Sequence, residues 1–180
     1  MQRDKILAAL IMGSDSDAPK LEPVKKIFEQ FGVSWDYTVA SAHRTPEDVE
    51  EFIAECIRRG CMVFICAAGM SAHLAGVVAA ETIKPVIAVP LTVENQSALN
   101  GLDALLSMFN MPPGIPVATM GLDKAGAENA ARFVVQMFAA AGVLDGLEQK
   151  VVDDRIAMRK KVEEKRENLR MKWGEPRQGN

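Results

Sequence analysis

Two histidines occur in the 180 residues of this chain, and each stands where a run of strand-forming residues gives way to helix-starting ones. The first lies in Ser41-Ala42-His43-Arg44-Thr45-Pro46. Imidazole is the side chain that takes or gives a proton near neutral pH, and the guanidinium of Arg44 beside it offers a planar fork of donors to a phosphate or carboxylate. The second lies in Gly69-Met70-Ser71-Ala72-His73-Leu74-Ala75-Gly76, where small residues let a ligand approach the backbone and the start of the next helix favours a carboxylate. A third turn of the same kind, Gly13-Ser14-Asp15-Ser16-Asp17, has hydroxyls and helix-start N–H groups that suit a phosphate. A carboxylate against a phosphate is repulsive, so Asp17 fits a ribose diol better, and Asp15 a cap or supporting role. Each turn also has a plain reading: a loop His and Arg that only meet solvent, ordinary Ser and Asp caps, a structural histidine.

The elements that would hold these turns follow from periodicity. Residues 6–12 are a continuous apolar run, the pattern of a strand buried on both faces of a parallel sheet. Leu21, Val24, Ile27, Phe28 and Phe31 then recur at helical spacing until Gly32. Residues 35–39 are aromatic and β-branched and predict the second strand. Thr45 as N-cap, Pro46 in the first turn, and Glu47 and Asp48 on the positive end of the dipole predict the second helix, whose apolar face is Val49, Phe52, Ile53, Cys56 and Ile57. Further strands are expected at 61–67, 85–90 and 115–119. The long connection 91–114 holds one helix, from 102 to 109, between turns at Asn100-Gly101 and Met111-Pro112-Pro113-Gly114. The Ala-rich segment 124–141 reads as the last core helix, with Phe133, Val134, Met137 and Phe138 inward.

Strands alternating with helices imply right-handed crossovers and a parallel sheet covered on both faces, a three-layer, flavodoxin-like, doubly wound α/β fold of strand order 2-1-3-4-5. Ligands of such sheets lie beyond the carboxyl ends of the strands. The turns after strands 1, 2 and 3 would then bring Ser14, Asp17, His43, Arg44 and His73 to one cleft. No GxGxxG fingerprint, Walker loop, zinc-ligand spacing or GxSxG elbow is present, which argues against dinucleotide, NTP, metal and serine-hydrolase chemistry.

A net charge of −3 gives no overall field toward nucleic acid or anionic membrane. Cys56, Cys61 and Cys66, odd in number and in apolar surroundings, fit reduced thiols of a cytoplasmic protein. With 48% apolar residues, no long apolar span and no leader pattern, a soluble protein is expected. Residues 1–142 are expected to form the catalytic domain and 143–180 a charged amphipathic helix. In the latter, Leu147, Val151, Met158, Val162, Leu169 and Trp173 follow spacings of 4, 7, 4, 7 and 4. That period, about 3.67 residues per turn, keeps a narrow apolar stripe on a nearly straight helix. Glu163 with Arg166 and Glu167 with Arg170 would pair on its solvated side.

Met12-Gly13-Ser14-Asp15-Ser16-Asp17, Ser41-Ala42-His43-Arg44-Thr45-Pro46, Ala72-His73-Leu74 and Ala98-Leu99-Asn100-Gly101-Leu102-Asp103 together resemble the class I PurE family, the N5-carboxyaminoimidazole ribonucleotide mutases of purine biosynthesis. The resemblance runs over residues 6–141. It implies a flavodoxin-like fold, a homo-octamer, no metal or organic cofactor, and a small ribonucleotide as substrate; the terminal helix from Leu144, longer than in many relatives, is expected to pack across subunits. It also implies the reaction, reversible movement of a carboxylate from the exocyclic nitrogen to carbon 4 of the imidazole. By position, His43 matches the catalytic histidine and His73 the histidine of the loop over the carboxylate. Ser14 and Arg44 match the phosphate-binding residues, Ser41 assists there, and Asp17 holds the ribose hydroxyls. Two stretches depart from the family pattern: Ser71, which would alter the carboxylate pocket, and residues 91–97, which run longer and lack a lysine before Ala98. Two other readings compete, a class II type carboxylase using free carbon dioxide and a non-catalytic nucleotide-binding assembly protein.

Overall fold

The computed structural model describes residues 4–94 and 99–174. Ala98 and residues 95–97 of the 91–97 loop therefore lie outside the described residues. In chain order the elements are β1 (Ala8–Met12), α1 (Ala18–Phe31), β2 (Trp35–Val39), α2 (Pro46–Arg58), β3 (Val63–Gly69), α3 (Leu74–Glu81), β4 (Val86–Leu91), α4 (Leu102–Phe109), β5 (Ala118–Thr119), α5 (Asp123–Ala140) and α6 (Leu147–Trp173). A single 3₁₀ turn, Asp15–Asp17, precedes α1.

The five strands among the described residues form one parallel sheet in the order β2-β1-β3-β4-β5, as expected. Its pairing puts Met12 opposite both Val39 and Ala67, and Gly69 opposite Leu91. β1 and β2 therefore end together, β3 and β4 together two residues further on, and the turns that leave them emerge side by side. On one face, Ala9, Ile11, Phe64, Cys66 and Ala88 pack with Val49, Ile53 and Cys56 of α2, Val78 of α3, and Ala104 and Met108 of α4. The alternate strand residues, among them Leu10, Ile65, Ile87 and Val89, are also buried and point to the opposite face. Strands buried on both faces explain why 6–12 and 61–67 read as unbroken apolar runs.

In α1, Leu21, Val24, Ile27, Phe28 and Phe31 are buried, and Gly32 ends the helix at φ 74°. Pro23 lies inside this helix and removes the bond to the carbonyl one turn back, at about 3 kcal/mol. Five buried apolar side chains, each contributing about 1.5–3 kcal/mol, outweigh that. The helix is held by packing more than by propensity.

Two expectations need correction. The fifth strand is only two residues long, because Pro116 has no N–H for the ladder and the strand lies at the sheet edge. Its shortness in turn accommodates Pro90. The Ala88 carbonyl accepts from Met120, so Pro90, two residues on, faces the same side, beyond the reach of β5. In α5 the buried stripe is Ala127, Ala130, Ala131, Val134, Val135 and Phe138. Phe133, expected inward, is 39% exposed, because it sits about 130° around the helix from the middle of that stripe. Gly126 admits no side chain, since a Cβ there would lie 1.7 Å from the Gly121 carbonyl oxygen.

The contacts divide the chain into two units, Met1–Val135 and Gln136–Asn180. In the second, α5 ends at Gly142 (φ 63°), with the Val143 N–H returned to the Phe138 carbonyl, the left-handed glycine cap of many helices. Helix α6 has 27 residues, about 40 Å at the usual rise. Leu147 at its start is buried, but Val152, Ile156, Met158, Val162, Leu169, Met171 and Trp173 are exposed. Arg170 pairs with Glu167 as expected, whereas Glu163 takes Arg159, one turn earlier, in place of Arg166.

Candidate active site

The turn after β1 is built by reciprocal hydrogen bonds. Ser14 is extended (φ −151°, ψ 151°), its Oγ accepts from the Ser16 N–H, and its own N–H donates to Asp17 Oδ2 at 3.1 Å. This is a capping box, so the ordinary reading of these residues as caps holds for the turn's geometry. It leaves Asp17 only 8% exposed, yet on the wall of a cleft. Burial pushes its carboxyl above the usual carboxylate value, opposed by the Ser14 N–H and the Lys20 charge and reinforced by Asp15 and Asp123.

The turn after β2 is closed on itself by Ser41 and Thr45. The Thr45 N–H donates to the Ser41 carbonyl at 2.9 Å, and the Ser41 N–H donates to Thr45 Oγ1 at 3.0 Å. Thr45, expected to cap α2 with its side chain, makes no such bond; its hydroxyl is taken by the turn. Ser41 Oγ in turn accepts from the N–H groups of His43 and Arg44. One serine and one threonine thereby hold the backbone under the two residues that could do chemistry. The Arg44 guanidinium has no ion pair or hydrogen bond among the described residues and is exposed on the cleft.

The turn after β3 runs from Gly69 to His73. Met70 takes φ 58°, an uncommon conformation for a residue with a long side chain, and the His73 N–H folds back onto the Ser71 carbonyl. Gly69 is required: a Cβ there would lie 2.3 Å from Val93 Cγ2.

These turns converge. Ser14, Asp17, Ser41, His43, Arg44 and His73, all six residues singled out by sequence, line one cleft of about 510 Å³ with Gly13, Gly69, Met70, Ser71 and Val93. His43 Nε2 stands 3.0 Å from His73 Nδ1, with the rings edge to face at 78°. Two imidazoles within hydrogen-bond distance must share a proton between those nitrogens, and either can pass one to a ligand held beside them. The cleft thus offers a fork of cationic donors, a buried carboxylate, a proton-handling pair and a glycine-floored end open to a small group. Among the described residues no cluster of three His, Cys, Asp or Glu could hold a metal. Sequence reading missed Val93 and Met70 as cleft walls. Val93 was within reach of the rule that located the other turns, since it stands just past the carboxyl end of β4.

The family model for AIR carboxylase matches residues 7–161 of this chain. The chain belongs to the AIR carboxylase family. Among other members, it is 41% identical over 179 residues to a Pyrococcus horikoshii protein named N5-carboxyaminoimidazole ribonucleotide mutase, covering 96% of this chain and 94% of that one. It is 47% identical over 156 residues to a protein of the same name from Methanocaldococcus jannaschii, covering 87% and 92%. The crystal structure of Treponema denticola PurE has the same fold, with a TM-score of 0.71, 25% identity and coverage of 95% of this chain and 100% of that one. For this AIR carboxylase family member, the match takes in all three turns that form the cleft.

No helix among the described residues is long and apolar enough to cross a membrane. The three cysteines are buried and free. Burial pushes the Cys56 and Cys61 thiols up to about 12 and about 11, and that of Cys66 higher still, so none supplies a thiolate.

Proposed function

We propose that this protein is an N5-carboxyaminoimidazole ribonucleotide mutase, an isomerase of purine biosynthesis, working in the cleft between the turns after β1, β2 and β3. The observation that carries the reading is the meeting of His43 and His73 at 3.0 Å above a glycine floor, joined to the family membership. Arg44 and Ser14 hold the 5′-phosphate, with Ser41 supporting the turn beneath it, and Asp17 accepts from the ribose hydroxyls. His73 faces the carboxylate. His43, protonated, gives its proton to the exocyclic nitrogen as the carbon–nitrogen bond of the carbamate breaks, leaving carbon dioxide and the free amine. Carbon 4, enriched in electrons by that amine, attacks the carbon dioxide, and His43 takes the carbon 4 proton, which restores its starting state. Positioned proton transfer of this kind contributes about 10²–10⁴ in rate. The small residues of the turns close around the carbon dioxide and keep it from water while it is free. Conversion of the carbamate substrate by the purified protein, beside aminoimidazole ribonucleotide plus bicarbonate, tests the reading. Preference for the second pair would make it a carboxylase, and no turnover of either would leave a binding protein.

Asp17 makes the reading pH-dependent. Its carboxyl sits above the ordinary carboxylate value, chiefly through burial. A folded-state value raised above the unfolded one means that the stability linked to this group is present at low pH and lost as pH rises through the folded value. Binding runs the other way, because the ionised form accepts two hydroxyl hydrogen bonds. The KM for the ribonucleotide is expected to rise as pH falls through the raised Asp17 value. In Asp17→Asn the KM should be high and flat with pH. Steady-state kinetics from the ordinary carboxylate range upward into the neutral range would show it; an unchanged acid limb in the variant would remove Asp17 from the ribose.

The assembly belongs to the same proposal. Helix α6 leaves Met158, Val162, Leu169 and Trp173 exposed along one stripe, which packing of the helix on a neighbouring subunit would cover, and the expected assembly is a homo-octamer. Sedimentation velocity is expected to show the octamer and its loss on truncation at Gly146; a monomer would contradict it. Three free buried thiols support a reducing, cytoplasmic setting.

A further inference from the structure

Val93 lines the cleft against Gly69, and it is held by a charged strut that the functional reading has not used. Lys20, in the first turn of α1, donates from Nζ to the Thr92 carbonyl and to Thr92 Oγ1 at 2.6 Å, and lies 2.9 Å from Asp123 Oδ1. Thr92 completes the network, its N–H donating to Asp123 Oδ1 at 3.0 Å and its hydroxyl to Asp123 Oδ2 at 2.7 Å. Asp123 takes φ 54°, a backbone conformation in which aspartate is enriched. The strut is packed from the side as well, since a Cβ on Gly101 would lie 2.9 Å from Thr92 Cγ2. Thr92 is thus tied through its N–H, its carbonyl and its hydroxyl at once, and the next residue, Val93, is set against Gly69 with no room for a methyl group between them.

We propose that Lys20 is a positioning residue that, through Thr92 and Asp123, holds the Val93 wall over Gly69 and so keeps carbon dioxide in the cleft between its release and its capture. The role rests on the mutase reading. Burial pushes the Asp123 carboxyl up, but the hydrogen bonds from Lys20 and from the Thr92 hydroxyl and N–H, with the Lys20 charge, hold it below the usual value, so the strut is ionised through the neutral range. When the wall is in place, the carbon released from nitrogen forms its new bond at carbon 4 and the carbon 4 proton leaves through His43. When the wall is loose, carbon dioxide escapes, the amine keeps the proton that His43 gave it, hydration of the carbon dioxide by water releases a proton that replaces it, and the products are aminoimidazole ribonucleotide and bicarbonate, with no change of oxidation state.

The test uses the intact protein with Lys20→Met, Lys20→Arg and Asp123→Asn. Two quantities are read: amide hydrogen exchange at Thr92 and Val93, and the fraction of carbamate substrate that ends as the decarboxylated amine. Lys20→Met and Asp123→Asn are expected to speed exchange at Thr92 by about tenfold or more, as loss of one charge-assisted hydrogen bond would. They should also raise the leaked fraction severalfold above the value without enzyme. Lys20→Arg, whose fork can reach the same acceptors, should restore both. Thr92→Val, which deletes only the hydroxyl, replaces Lys20→Met if that variant does not fold. Unchanged exchange would overturn the strut. Faster exchange with no added leak would overturn its role in retention. Absence of turnover in the unaltered protein would overturn the mutase reading and the retention role with it, leaving the strut to be judged by exchange alone.

Discussion

His43→Asn is expected to lower kcat by about 10²–10⁴, a loss of about 2.7–5.4 kcal/mol of transition-state stabilisation, with KM changed only severalfold. Asparagine keeps a polar group of similar reach and leaves the turn intact, because the bonds that shape it come from Ser41 and Thr45 and from the His43 backbone. What disappears is a group that can both accept and release a proton. The proposed function assigns the ground-state contacts to phosphate and ribose to Arg44, Ser14 and Asp17, so binding should survive. Steady-state kinetics with the carbamate substrate would show the split. A fall in KM-linked binding with kcat preserved would move proton transfer away from His43 and make its contact with His73 a matter of shape.

Replacement of Arg44 should give the opposite split. The guanidinium is exposed on the cleft and unpaired among the described residues, so no internal partner is orphaned by its removal. Hydrogen bonds to a charged group contribute about 1.5–3 kcal/mol, which is about ten- to a hundredfold in affinity. Arg44→Met is therefore expected to raise KM by that factor with kcat reduced much less. Arg44→Lys should recover only part of it, because an ammonium keeps the charge but loses the planar fork. Titration with the ribonucleotide and with its dephosphorylated nucleoside would check the assignment. A variant that loses affinity equally for both would show that Arg44 does not meet the phosphate.

Much of this site was legible in the sequence because its parts are local. Each turn announces itself within six or eight residues by an apolar run that stops at small and polar side chains, and doubly wound sheets gather such turns at one edge. The neighbouring carboxyl ends of β1, β2 and β3 turned that expectation into a cleft. Asn100-Gly101 was read as a turn for a similarly local reason, and both residues take positive φ. Thr45 was misassigned because two partners compete for one hydroxyl, and only the three-dimensional path of the turn decides for Ser41 over the helix. The extent of β5 was overestimated because Ile115 and Val117 favour strands, while Pro116 between them limits pairing. The Lys20–Thr92–Asp123 strut could not have been read at all. Lys20 and Thr92 are 72 residues apart, and nothing in the type or spacing of a lysine, a threonine and an aspartate marks them as partners before the sheet order is known.

The central claim, that one carboxylate leaves nitrogen and returns to carbon within the same cleft, is tested most directly by isotope transfer. The substrate would carry ¹³C in its N-carboxylate and be turned over in excess unlabelled bicarbonate, and the product stopped early. The account predicts that the label appears in the carboxylate on carbon 4, at a rate that does not depend on bicarbonate. Product whose carboxylate is unlabelled, formed only when bicarbonate is supplied, would contradict it.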